Sequence, residues 1–385
     1  MTAELPPEIL TEILARLPAK SLLRFRSVSR SWNSLIRSPP FIALHLSRSI
    51  ATGDSSSSIL LRHYSLNRRR ELNTVFHDGP GSLVVEQELD FPIRTHDSYY
   101  YVGACNGLLC LSDYLINYLG IVLWNPSIRT CFQVPVPRFV DTDATHTDVV
   151  GFGFDCRTNQ YKVLRLIYVI GRNHQREIPP EVEVFVLGTE RWRRIDADVP
   201  YVVPESSSQA ILHGAIHWMG YRPKVSVVLV VVFDLHEEVF REIEIPSSIN
   251  YPSVNRLSVA VYGESLCLFE HDPWVNNKKQ SDAFCVWVMK RYGVKESWTK
   301  QFSVDMRDRG GLKRVLGFRK HGEILVVNGS DELVSYDPES RSIEQLGLHG
   351  IVRSFEATPH MECLVLLKEQ MDPAGKASSS RLMSC

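Results

Sequence analysis

Between Ile59 and roughly residue 369 the chain repeats one pattern: an apolar run, a turn, then an aromatic-bearing run. Instances are IVLWNPSIRTCFQVP, VEVFVLGTERWRRI, VVVFDLHEEVFREIEIP, FCVWVMKRYGVKESWTKQF and LVSYDPESRSIEQL. The runs are rich in Val, Ile, Tyr, Phe and Trp and are broken by Gly, Pro, Asn and Asp, which is a strand-and-turn pattern. The anchor aromatics Trp124, Phe185, Phe233, Trp287 and Tyr336 are separated by 61, 48, 54 and 49 positions, and Tyr64 lies 60 before the first. A period near 50 residues with four strands per unit predicts a propeller of kelch-like size. Five complete units fall near 98–136, 147–199, 209–246, 256–304 and 312–348. A sixth is expected to be split. Its C-terminal strands, Val352–Glu356 and Glu362–Leu367, would pair with N-terminal strands near Ile59–Tyr64 and Leu72–Phe76, hiding edges that an open array leaves unpaired. The alternative is a β-sandwich or an open β array.

The first 48 residues read differently. Pro6 and Pro7 suit a helix start, and Glu8 and Glu12 favour the positive end of its dipole. Ile9, Leu10, Ile13, Leu14 and Leu17 recur at helical spacing, and Pro18 stops the run. A second helix spans Lys20–Arg26. Ser29 is placed to cap a third that carries Trp32, Leu35 and Ile36. Ser38-Pro39-Pro40 breaks the chain before a final turn or two. A module this small buries too little apolar surface to stand alone comfortably. Either the following domain covers its surplus apolar residues or a partner does.

The run LPPEILTEILARLPAKSLLRFRSVSRSW, from Leu5 to Trp32, resembles the F-box in the form common in plants, in order and without gaps. The resemblance implies binding to a Skp-type adaptor and, through it, to a cullin. It assigns Leu5, Pro6, Ile9, Leu17, Pro18, Leu22, Val28 and Trp32 to that interface or its immediate packing, with Ile13, Leu35 and Ile36 added from the same helices. The body is similar to the F-box-associated domain through CNGLLCL (105–111), LWNPSIRT (123–130), GFGFD (151–155) with YKVLRL (161–166), HGAIHW (213–218), VFDLHEEVF (232–240) and VWVMKRYGVKESWTK (286–300). The paired glycines of true kelch blades are largely absent. The expected class is thus an α+β multidomain chain: a helical F-box at 1–48, a flexible polar linker at 49–58, an all-β, propeller-like domain of about six blades at 59–369, and a disordered tail at 370–385.

Net charge is −1, from 43 basic and 44 acidic residues, which gives no sign of a nucleic-acid binder. The charge is uneven. Residues 1–48 carry seven Lys/Arg against three Glu, a net of +4, so an acidic partner fits the module. The longest apolar run, Val227–Phe233, is too short to span a bilayer. The scattered cysteines read as reduced thiols in a cytoplasmic or nuclear protein.

Candidates for catalysis fall away on their spacing. His213 and His217 lack the Glu of a helical metal pair, GFGFD lacks the Lys of a phosphate loop, and Glu237-Glu238 sits in a turn where solvation is the default. No metal or cofactor is expected. The function implied by the resemblance is a non-catalytic substrate-recognition subunit of a Skp–cullin–F-box type E3 ubiquitin ligase, capturing an unidentified protein. A propeller enzyme or a free-standing carbohydrate- or protein-binding module is the alternative. Long connections between strands on one face are the expected place of target capture, with Tyr99, Tyr100, Arg172 and Trp274 as candidates because aromatics and Arg anchor interfaces. The linker would enter on that same face. The cluster Arg68-Arg69-Arg70 reads as a solvated turn.

Overall fold

Asn106-Gly107 shows why the chain reverses where it does. Both residues take a left-handed φ, 47° and 82°, as the tight hairpin turns favoured by Asn-Gly require. The flanking strands β4 (Tyr100–Cys105) and β5 (Leu108–Asp113) then pair antiparallel. The same device recurs at His213-Gly214, and at Gly263-Glu264 the glycine alone takes a left-handed φ, 59°.

The computed structural model of the chain describes residues 6–52, 58–79, 82–91, 100–113, 120–136, 146–171, 176–250, 252–271 and 283–365. Among them are four helices: α1 (Pro7–Leu14), α2 (Ala19–Phe25), α3 (Arg30–Arg37) and α4 (Pro39–Thr52). They precede six four-stranded antiparallel sheets. After β4 and β5, the first sheet adds β6 (Gly120–Asn125) and β7 (Thr130–Gln133). The second is β8 (His146–Asp155), β9 (Gln160–Val169), β10 (Glu181–Val186) and β11 (Trp192–Ile195). The third is β12 (Ala210–Leu212), β13 (Ala215–Arg222), β14 (Val227–Asp234) and β15 (Phe240–Glu244). The fourth is β16 (Leu257–Tyr262), β17 (Ser265–His271), β18 (Ala283–Met289) and β19 (Trp298–Asp305). The fifth is β20 (Arg314–Phe318), β21 (Ile324–Val327), β22 (Glu332–Tyr336) and β23 (Ile343–His349). The sixth runs β24 (Glu356–Pro359), β1 (Ser58–Ser65), β2 (Arg70–Gly79) and β3 (Ser82–Leu89). First strands of neighbouring sheets pack on one another, β4 on β8, β12 on β16, β16 on β20 and β20 on β24. This is a six-bladed β-propeller.

The repeat in the sequence is the third strand. Trp124, Phe185, Phe233, Trp287 and Tyr336 all lie on third strands and are buried. The sixth blade departs from expectation. Among the described residues the C-terminal segment supplies one strand, not two. Val352–Ser354 is a single 3-10 turn, and residues 360–365 form no strand. Tyr64 therefore sits on a second strand. The third-strand aromatic is Phe76 on β2, 48 positions before Trp124 and closer to the period than Tyr64.

Closure is reinforced by Arg319, which is fully buried between the fifth and sixth blades. Its guanidinium donates to Asp78 Oδ1 (2.8 Å), Ser335 Oγ (3.0 Å) and the carbonyls of Gly79 (2.8 Å) and Ser82 (3.1 Å). A buried charge is tolerable only when its bonding capacity is filled in this way.

The α4 helix runs to Thr52, so residues 49–52, expected in the linker, are helical. Ser49 and Thr52 hydroxyls donate to the carbonyls of His45 and Arg48 (3.0 Å each) within the helix. The expected tail lies outside the described residues. Removal of residues 356–385 leaves β1 unpaired on one side. Thermal unfolding of such a truncation should begin more than about 10 °C lower and lose cooperativity. An unchanged melting curve would show that β24 does not hold the ring closed.

Candidate functional site

An antiparallel blade sends its first-to-second and third-to-fourth connections to one end of the ring. The second-to-third and blade-to-blade connections emerge at the other. Ser58 begins a second strand, so the helical module attaches at the end of the tight turns. The longer connections, including residues 170–180, 196–209 and 245–256, lie at the opposite end. The expectation that the linker enters among the long connections is thus overturned, because the C-terminus contributes only the first strand of the closing blade.

The module is held to that end by residues 360–365. Asn125, fully buried, donates from Nδ2 to the carbonyls of Cys363 (3.2 Å) and Val365 (3.0 Å). The Cys363 amide donates to Ser127 Oγ (3.2 Å). Met361 O lies 2.5 Å from where a Cβ on Gly107 would stand, so that turn demands glycine. From this anchored segment Glu362 Oε2 accepts the Ala19 amide at 2.7 Å, satisfying a donor at the start of α2 that no earlier turn can pair. Leu364 inserts among Leu14, Ala15, Ala19, Leu22, Ile36 and Phe41, with Ile128 of the β6–β7 turn against the same cluster. In return, Leu46 of α4 joins the propeller core beside Met361.

That packing divides the residues assigned to the adaptor surface. Leu22 and Ile36 are core. Leu17, Trp32 and Leu35 are half-buried, with Trp32 edge-on to Phe25 at 5.5 Å and its amide donating to the Ser29 cap. Pro6 and Pro18 are exposed. Ile9, Ile13 and Val28 stand 48%, 46% and 62% exposed, and Ile9 and Ile13 share one face of α1. Leu5 lies outside the described residues. At the far end of the ring, Tyr100 is exposed at the start of β4. Tyr99, Arg172 and Trp274 lie outside the described residues.

The residues weighed for catalysis have structural partners. His217 is buried, with Nδ1 3.3 Å from Ala210 O and Nε2 2.7 Å from the Tyr292 hydroxyl, and burial pushes its pKa down to about 4. Phe152 and Phe154 pack on Tyr161, while Gly151 and Gly153 let Trp218 and Leu235 of the next blade approach. Glu238 is not merely solvated. It accepts from Lys162 Nζ (2.9 Å) and pairs with Arg193 across blades. Burial raises its pKa, but these two cations outweigh that and hold the carboxyl below its ordinary value. Beside it, burial opposes ionisation of Asp155, yet hydrogen bonds from Thr158, Lys162 and His236 outweigh it and lower the pKa well below the usual carboxylate range. Burial pushes the Cys105 and Cys363 thiols up to about 12, which makes them poor nucleophiles. Among the described residues no three His, Cys, Asp or Glu side chains converge as metal ligands, and no helix is long and apolar enough to cross a membrane.

Comparison with known families gives two matches. Residues 3–44 match the F-box domain, and residues 60–369 match the F-box associated beta propeller domain. The chain is a member of the F-box proteins. It is 30% identical to F-box protein At3g07870 of Arabidopsis thaliana, covering 96% of this chain and 93% of that one. F-box protein CPR1 of the same plant is 28% identical over 94% of this chain and 89% of its own length. F-box/kelch-repeat protein At3g23880, also from Arabidopsis thaliana, is 29% identical over 78% and 79%. The sequence motifs had marked the F-box. They read Glu362–Leu367 as a strand of the closing blade and not as a strap, because an irregular segment has no periodicity of its own to read.

Two outcomes follow for this F-box protein. Leu364→Ala should cost about 2–5 kcal/mol, seen as faster hydrogen exchange across α1–α4 with the propeller strands unaffected; equal protection would show that the strap does not hold the helices. His217 protonates in the unfolded chain near its ordinary 6.5 but in the fold only near 4. The share of folding stability that depends on His217 should therefore fall as pH drops from 6.5 to 4, by on the order of 3 kcal/mol. Half-buried His360 titrates in the same window, so His217→Asn should make the slope shallower in denaturant titrations without abolishing it.

Proposed function

We propose that the chain is the target-binding, non-catalytic subunit of a Skp–cullin–F-box type E3 ubiquitin ligase. In this reading the F-box docks a Skp-type adaptor, the adaptor joins a cullin, and the propeller holds the protein to be ubiquitinated. The observation that carries it is the completeness of the F-box core without Ile9, Ile13 and Val28. A module whose own core is filled gains nothing within the chain from exposing three large apolar side chains, whereas a partner groove would bury them. Pro6, Pro18 and Leu5 complete the contact surface, Leu17, Trp32 and Leu35 back it, and Leu22 and Ile36 set the helix spacing beneath. Target capture is assigned to the propeller end opposite the F-box, where Tyr99, Tyr100, Arg172 and Trp274 belong to the long connections or their flanks. The two partners then approach from opposite ends of the ring and do not compete for space.

Co-purification with a Skp-type adaptor tests this. Ile9→Asp with Ile13→Asp should weaken adaptor binding more than about tenfold while thermal unfolding of the propeller stays where it was. Undiminished binding by the double variant would refute the assignment of these residues. No binding by the unaltered chain would refute the ligase reading itself.

A further inference from the structure

The cluster Arg68-Arg69-Arg70 acquires a setting in the fold that its sequence does not disclose. It forms the β1–β2 turn, at the propeller end opposite the F-box. Leu66 opens the turn and is 56% exposed. The β23–β24 connection abuts it. The Tyr64 amide donates to Ser354 Oγ at 2.7 Å, and Gly350 packs so closely on Tyr64 O that a Cβ there would lie 2.8 Å away. That connection presents Ile351, 48% exposed, and the exposed Arg353.

The patch is rigid. Ser354 Oγ donates to Ile351 O (2.7 Å), while Arg314 donates to the carbonyls of Arg353 (3.4 Å) and Phe355 (2.8 Å) and pairs with Glu356 (2.8 Å). Its charge is one-sided. Arg68 and Arg70 share Glu88 at 2.7 and 2.5 Å, and Asp90 stands 4.0 Å from Arg70. Among the described residues the guanidiniums of Arg69 and Arg353 have no acidic partner. Four cations against two carboxylates leave a net of +2 around two apolar side chains.

We propose that this patch binds an acidic segment of the target protein that carries an apolar side chain, the apolar group resting on Leu66 and Ile351 and its carboxylates facing Arg69 and Arg353. The proposal rests on the receptor reading above and names the class of segment recognised. Exposed apolar anchors rimmed by guanidiniums that have no acidic partner among the described residues suit such a ligand, since covering them rewards binding and the charges steer its approach.

The test pans a phage-displayed library of random peptides against the full chain bound to its adaptor. Enriched peptides should carry Asp or Glu beside Leu, Ile or Phe. As free peptides in fluorescence anisotropy they should bind more weakly as salt rises. Arg69→Asp with Arg353→Glu should lower their affinity at least about tenfold, and Leu66→Ser with Ile351→Ser should lower it several-fold. Asp is chosen at position 69 because it tolerates the left-handed φ of 51° found there. Thermal unfolding of both variants should match the unaltered chain. Enriched peptides without an acidic excess, or equal binding by the charge-reversed variant, would overturn the proposal while retained adaptor binding left the receptor reading standing. Binding of nucleic acid or anionic vesicles in place of peptide would overturn it equally. Failure of the chain to bind its adaptor would instead strike the receptor reading, and is scored separately by co-purification.

Discussion

Four backbone pairings, Ile59–Arg62 against Pro359–Glu356, decide most of what this molecule is. They turn a row of sheets into a ring. They also fix where the F-box emerges, because the chain that enters at Ser58 begins a second strand rather than a third. Had the C-terminus supplied two strands, the helices would sit among the long connections. With one, they sit on the tight turns. A single strand of register thus separates an F-box seated among the long connections from one seated at the opposite end.

The segment just beyond β24 converts that placement into a fixed geometry. Asn125 and Ser127 hold it from the propeller side, and Glu362 and Leu364 reach into the helices. Buried apolar contact and satisfied polar groups act together, so the F-box is seated on the ring rather than tethered to it. In the proposed receptor role this seating would hold a bound target at a fixed distance from the adaptor.

Periodicity carried most of the fold. The third-strand aromatics fell on sheets that all have four strands, and Asn-Gly and Gly-Glu turns marked strand reversals. The split blade was legible as a split but not in its proportion. Val352–Glu356 has the composition of a strand, yet hydrogen bonding of Ser354 to Ile351 and Tyr64 curls it into a turn. The linker boundary failed for a related reason: Ser and Thr read as loop residues, but in α4 their hydroxyls bond back to the helix. In the F-box, composition marks apolar residues without saying which face each takes. Leu22 and Ile13 look equivalent in the sequence, and only packing against Leu364 and Phe41 separates core from surface.

The strap has a consequence in time as well as in space. The F-box leaves the ribosome ahead of the propeller, but its core lacks Leu364 and its second helix lacks the Glu362 contact until those residues, which follow every described propeller strand, have been made. The ring cannot close before that moment either. Domains made early usually fold early, yet here the F-box is finished by a segment made after β24. A chain cut short by premature termination would carry an F-box with a hole in its core and a propeller with a raw edge. Synthesis through Leu364 is thereby written into the integrity of both ends of the ring.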